Sequence, residues 1–419
     1  MSEAYIPPPI AEEAARQEDL FVPADIKVEN VFLNQWRESI AEVTDASTPL
    51  VFFAGIGMLS VLCHEFYFSA PRDTHLNLFL FMLGQSSLSR KTTVIDIVRD
   101  YIGTVAPDLI LPDQFTGEAL FTCLAERPRG IVIVRELHSW LMAMLTKDYN
   151  RGLSSDLGNI YDHTKIITKQ TQKGGFKIIN DPVITILGGG VDEWLIDILK
   201  KIDMVSGFWP RVTLVQLPHS DGKDYRPPGK FLIDPDILEK LTLVVAQTGG
   251  ELDCTKINPL REAYAANLGR EAAELESYNL AACYSRLEWT LVKIAAILHL
   301  ADNPNSRVIE PASFNDAVNL VEHIKQGLPY FYSEHIVPGE EAKLAVRIFN
   351  FIKKRDQESA KYVPYRTILH YSSGNTVMTQ AALTRLVETG QCDQVDVPPS
   401  PHYKKISKAY RTLPNPDKN

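Results

Sequence analysis

The sequence predicts an α/β protein: a mostly parallel sheet with helices on both faces, then a helical region, then a small helix-and-wing ending. Three observations carry that expectation. Apolar runs at Leu78 to Leu83, Ile131 to Val134 and Val183 to Leu187 read as buried strands, with helical stretches between them. Asp236 to Thr248 and Asn258 to Ala301 are strongly helical. The end of the chain reads helix, helix, helix and wing, over Glu341 to Arg355, Pro364 to Tyr371 and Thr379 to Glu388.

A chain of 419 residues spans two or three domains, at roughly 100–200 residues each. Hydrophobic residues at 45% and charged residues at 23% exclude wholesale disorder and fibrous repeats. The expected division is an N-terminal arm and helix over 1–45, an α/β core over 46–220, a helical domain over 230–335 and a winged helix over 341–419. The polar, proline-rich segment His219 to Pro228 reads as the linker between the middle two.

Met1 to Glu18 is acidic and proline-rich rather than basic and then apolar, so secretion is not expected. Leu50 to Phe68 has membrane length, but Gly55, Gly57, His64 and Glu65 interrupt it and basic flanks are missing, so it reads as a buried helix. Five cysteines stand without a CxxC pair, which argues against disulfides and a cysteine zinc site and for a reducing, cytoplasmic setting. The histidines have no metal-ligand spacing, and no Ser-His-Asp or Cys-His arrangement stands out, so neither zinc nor nucleophile chemistry is expected.

The formal charge of −9 speaks against nucleic acid as a partner, but its distribution does not. Residues 341–419 carry thirteen Lys and Arg against seven Asp and Glu, a net +6 that leaves −15 on the rest. An acidic body joined to a basic module fits DNA contact through the wing, with Arg385, Lys404 and Lys405 as candidate contacts. The alternative is a winged helix that binds protein.

The central motif is Gly84-Gln85-Ser86-Ser87-Leu88-Ser89-Arg90-Lys91-Thr92-Thr93, after an apolar strand and before a helix. Such a loop binds phosphate by converging backbone N–H groups and a helix N-terminus, with a lysine for the terminal phosphates and a hydroxyl for magnesium. Candidate nucleotide contacts are Gly84, Ser86, Ser87, Ser89, Arg90, Lys91, Thr92 and Thr93, with Lys91 as the phosphate cation and Thr92 on the metal. Arg90 stands where the usual pattern has its second glycine. In a second register Arg90 takes the lysine position. A plain polar turn with a serine cap is the structural alternative.

Ile131 to Glu136 is an apolar strand ending in a carboxylate, which puts Glu136 on a strand adjacent to the loop, as water-polarising group or magnesium ligand. Arg135 replaces the first acid of the usual pair. Arg211, between Phe208-Trp209 and the apolar Val212 to Leu217, suits a phosphoryl-stabilising finger in cis or across a subunit boundary; an ordinary ion pair is the alternative. The stretch Thr164 to Asn180 reads as a hairpin around Lys173-Gly174-Gly175. Its Lys165, Lys169, Lys173 and Lys177 fall on one strand face, which suits a DNA backbone or a guarded sheet edge.

Over residues 45 to 335 the order of these features resembles the P-loop ATPases of plasmids, phages and integrated elements, described as YfjI-like or primase-associated helicase-like proteins. The matching pieces are the phosphate loop, Thr116-Gly117-Glu118-Ala119-Leu120, Asn180-Asp181-Pro182 before Ile186-Leu187-Gly188, and Ser206-Gly207-Phe208 with Arg211. The resemblance implies a RecA-like or AAA+-like core that uses ATP and Mg2+, with a primase on a separate chain. The function expected is an ATP-dependent DNA motor or helicase-like replication protein of a mobile element, assembled as a homo-oligomeric ring such as a hexamer. The alternatives are a DNA-binding adaptor that holds nucleotide without turnover, and a scaffold whose loop has decayed.

Overall fold

The computed structural model describes residues 26–332, apart from 70–72, 87, 147–149, 151, 172–174, 200–207, 219–225 and 276, together with parts of 344–412. Two compact units divide these residues, the larger one ending before 335.

Helix α1 (Val31–Val43) starts at Asn30, whose side chain accepts from Leu33 N. Asp302 accepts from the backbone N–H groups of Val31 and Phe32, a carboxylate at the positive end of the helix. Helix α2 (Thr48–Leu62) is buried on every face, as its lack of any polar stripe requires. Among the described residues no single helix is long and apolar enough to cross a membrane. Short strands β1 (Phe66–Phe68) and β2 (Thr74–His75) lead to β3 (Phe79–Leu83), buried throughout.

Helix α3 (Lys91–Val105), β4 (Ile110–Leu111), α4 (Gly117–Glu126) and β5 (Arg129–Val134) follow. Then come α5 (Leu137–Thr146), α6 (Leu153–Tyr161), the hairpin β6 (Ile166–Thr171) and β7 (Gly175–Asn180), β8 (Val183–Gly190), α7 (Asp192–Leu199) and β9 (Val212–Gln216). The main sheet runs β4-β5-β8-β3-β9 with every neighbouring pair parallel. Its strands are continuous apolar runs because both faces are covered.

Register puts Leu83 opposite Gly190 and Gln216, and Val134 opposite Gly188. The carboxyl ends of β3, β5, β8 and β9 therefore meet at one edge, where Gly84, Arg135, Val191 and Leu217 leave the sheet. Strand β8 lies between β5 and β3, so the Glu136 strand is not the neighbour of the loop strand that the sequence led us to expect.

Helix α8 (Pro235–Val245), β10 (Gly250–Glu251), α9 (Asn258–Glu274), α10 (Tyr278–Asp302) and α11 (Pro311–Tyr332) complete the larger unit. Residues 46–198 and 204–334, which include most of the two segments read from sequence as an α/β core and a helical domain, lie within one compact unit. The buried Lys293 of α10 ties them: its Nζ donates to Asn77 O at 2.9 Å and Asn77 Oδ1 at 3.0 Å and lies 4.0 Å from the centre of the Tyr161 ring. Burial lowers its pKa to about 7.

In the smaller unit, β11 (Val363–Pro364), α12 (Tyr365–Tyr371), β12 (Cys392–Val397) and β13 (Ser407–Thr412) form an antiparallel sheet of order β11-β13-β12 beside a short helix. Leu344, Ile348, Ile352, Ile368, Leu386 and Tyr410 are among the residues of its separate core.

Candidate functional site

The first core strand delivers the chain to Gly84, whose N–H donates to Gly190 O at 3.2 Å. A Cβ at Gly84 would stand 2.9 Å from Leu217 Cβ, so the tight exit beside β9 requires glycine. The loop then closes on itself: Leu88 N donates to Ser86 O at 2.7 Å and Ser89 Oγ to Gln85 O at 2.8 Å. Lys91, the first residue of α3, folds its Nζ back over the loop and donates to Gly84 O at 2.9 Å and Gln85 O at 2.7 Å. Burial lowers the Lys91 pKa to about 8, and the Asp192 carboxylate opposes that shift.

Arg90 goes the other way. Its Nε donates to Asp45 Oδ1 and its Nη2 to Arg226 O, both at 2.7 Å, which directs the guanidinium away from the loop. Its backbone is left-handed, with φ 56° and ψ 17°. The usual motif has a glycine at this point, and glycine adopts that conformation without the ~1–2 kcal/mol that a side chain adds. Of the two registers, the geometry matches the one in which Lys91 faces the loop. Ser86 and Thr92 are exposed, Thr93 is half-buried and Ser89 is buried; Ser87 lies outside the described residues.

Thr92 and Glu136 open into one cavity of about 840 Å³, with Asp113, Thr116 and Trp140 among its other walls. Arg135 Nη2 reaches across to Asp96 Oδ2 of α3 at 2.9 Å. Gly189 permits the close approach of α3 to the sheet, since a Cβ there would stand 2.8 Å from Ile95 Cδ1 and 3.3 Å from Lys91 Cβ.

Sequence reasoning missed the buried polar group at this edge. Asp192, only 1% exposed, accepts from Gln216 Nε2 and Glu193 N, each at 3.1 Å, and Tyr330 also bonds to it. His323 of α11 contacts Gln216 O through Nε2 at 3.0 Å. The available signal was the Gly188-Gly189-Gly190 run closing an apolar strand, with an acid two residues on.

Arg211 is not at this site. Val212 pairs with Phe79, so Arg211 sits at the amino edge of the sheet, a strand of roughly 16 Å away from Gly84 at ~3.3 Å per residue. It makes two bonds to the Asp162 carboxylate, which Arg286 also contacts at 3.3 Å. A finger acting in cis is excluded by that position, because the loop and Arg211 occupy opposite edges.

The hairpin lysines share the face that carries buried Ile167 and Ile179. Lys165 pairs with Asp73 at 2.7 Å, Lys169 pairs with Asp156 at 2.5 Å, and Lys177 is half-buried. The outward face mixes Ile166, Phe176 and Ile178, each more than half exposed, with the exposed polar residues Thr168, Gln170 and Asn180. Lys173, Arg385, Lys404 and Lys405 lie outside the described residues.

The amino edge also gathers His75, His163 and Asp181. The two imidazole centres are 4.2 Å apart, and His163 Nε2 lies 3.0 Å from Asp181 Oδ1. Arg129 pairs with the other oxygen of Asp181, and with Glu65 at 2.7 Å. Burial, then His163 and Arg129, lowers the His75 pKa to about 4, and burial lowers that of His163. No spacing rule finds this group, because its members are distant along the chain.

Comparison of the chain with models of protein families and with curated proteins finds no match.

Proposed function

We propose that this chain is a P-loop ATPase that acts on DNA. The observation that carries the reading is Lys91 Nζ, drawn over the carbonyls of Gly84 and Gln85 at the N-terminus of α3 and the carboxyl end of the central strand. A partly buried cation is costly there unless an anion meets it, and ligands of parallel sheets bind outside the carboxyl ends of the strands. The parallel five-stranded sheet is compatible with a RecA-like or AAA+-like core.

In this reading Lys91 exchanges two carbonyl partners for the terminal phosphate oxygens, and the loop amides and first turn of α3 supply the remaining positive potential. Thr92 and Glu136, oxygen donors on the same cavity, fit a hard cation such as Mg2+. Bound Mg2+ would neutralise phosphate charge. Glu136 orients the attacking water and accepts its proton. The Asp192 carboxylate favours the charged form of Lys91. Arg211, on the opposite edge and paired with Asp162, takes no part in nucleotide binding in this reading, and the assembly proposed is a homo-oligomeric ring.

The smaller unit, with its antiparallel wing-like hairpin and the +6 charge of residues 341–419, is the DNA contact in this reading, as a winged helix. A primase on another chain is the partner proposed. A second reading, an adaptor that binds nucleotide without turnover, draws on Arg135, which stands in the place of an acid and is tied to Asp96.

Steady-state ATP hydrolysis separates them. Turnover that single-stranded DNA stimulates, and that Lys91→Ala and Glu136→Gln abolish, supports the ATPase. Nucleotide binding with no turnover supports the adaptor, and equilibrium dialysis that detects no bound ATP removes both.

A further inference from the structure

We propose that His75, His163 and Asp181 form a binding site for one divalent transition-metal ion, with Zn2+ the ion that fits best. The three residues each offer one ligand atom, and these atoms lie within 4.8 Å of one another. Three elements supply them: the end of β2, the turn after α6, and the turn between β7 and β8. The site is at the amino edge of the sheet, away from the phosphate loop, and does not rest on the ATPase reading.

The chemistry of the donors selects the ion. Two imidazoles and one carboxylate suit zinc and its first-row neighbours, whereas Mg2+ and Ca2+ take oxygen ligands. His75 gives its Nδ1 to the His64 carbonyl at 3.0 Å. That bond fixes the Nδ1–H tautomer and leaves the Nε2 lone pair for a metal, the way an outer partner orients a ligating imidazole. Arg129 does the same for Asp181, occupying Oδ2 and leaving Oδ1 toward His163. Glu65, paired with Arg129 at 2.7 Å, offsets the guanidinium charge.

His163 is the residue that most needs a partner. It is 5% exposed, yet neither ring nitrogen makes a hydrogen bond, although Asp181 Oδ1 lies 3.0 Å from Nε2. A buried ring nitrogen without a hydrogen bond is costly, and coordination would remove that cost. Backbone conformation adds an independent observation. Among the described residues only Arg90, His163 and Asp181 are non-glycine residues with positive φ, and two of the three are in this cluster, at 57° and 54°. Such conformations persist where the surroundings over-determine them, and they gather at ligand sites.

The test uses the full chain, stripped with a chelator and dialysed against equimolar Zn2+, with bound metal read by elemental analysis. One zinc per chain is expected, with the affinity of His75→Gln and His163→Gln reduced at least as far as the ~10–100-fold that loss of an outer partner costs. Thermal melting establishes that each variant is folded. If a variant does not fold, the Co2+ form of the wild-type chain decides: ligand-field bands without a thiolate charge-transfer band support the site, and a thiolate band overturns it. Failure of the wild-type chain to retain zinc overturns it too, as does undiminished uptake by both folded variants.

Discussion

The two edges of the main sheet are built from the same parallel strands and behave as opposites. At the carboxyl edge Lys91 is held by backbone carbonyls, beside a cavity shared by Thr92 and Glu136. At the amino edge the cations meet carboxylates: Arg129 with Glu65 and Asp181, Arg211 with Asp162, Lys165 with Asp73. The difference follows from strand direction. Helices α3, α5 and α7 begin just after β3, β5 and β8, so their N-terminal N–H groups gather at the carboxyl edge and favour an incoming anion. The amino edge lacks that field, and its charges are neutralised by side chains already present.

Lys91→Ala tests the comparison most severely. Loss of a charged donor removes about 3 kcal/mol of binding, which is roughly 100-fold in affinity, in titrations with a fluorescent ATP analogue. Unchanged affinity would mean that the carboxyl edge is not the anion site. Arg211→Ala is the converse experiment. Breaking its bidentate pair with Asp162 lowers unfolding free energy by about 1–2 kcal/mol in urea melts, while nucleotide affinity stays constant. A variant that kept its stability and lost affinity would break the division between the edges.

A further effect is on pH dependence. The Lys91 pKa falls from 10.5 in the unfolded chain to about 8 in the folded one. Between those values the unfolded state binds more protons, so this residue makes stability rise with pH over that window. Lys293, near 7 when folded, acts in the same direction. The informative quantity is therefore wild type minus Lys91→Met, which should rise from about pH 8 to 10.5 in denaturant melts. A flat difference would mean that Lys91 is as well solvated as an exposed lysine.

Much of the core was legible in residue order. The three apolar runs are β3, β5 and β8, and the loop between Gly84 and Lys91 connects a buried strand to a helix. What misled was distance. The adjacency of Glu136 to the loop strand failed because β8, later in sequence, inserts between them. Arg211 looked like a finger because residue order carries no information on which end of β9 faces the loop. In the hairpin, period-two spacing put Lys169 and Lys177 on one face, but only the pairing with Asp156 and the burial of Ile167 and Ile179 reveal that this face is packed.

By itself the sequence determined where chain leaves water: runs of apolar residues must be buried, and the polar loop from Gly84 to Lys91 must separate the first of these strands from the helix after it. The tertiary structure alone decided which charges meet. Asp192 beside Gln216, Asp45 holding Arg90, and Asp181 between His163 and Arg129 are contacts between residues far apart in the chain. Hydrophobic burial is non-directional and legible residue by residue, whereas a charge takes its role from partners a few ångströms away, and strand order sets those.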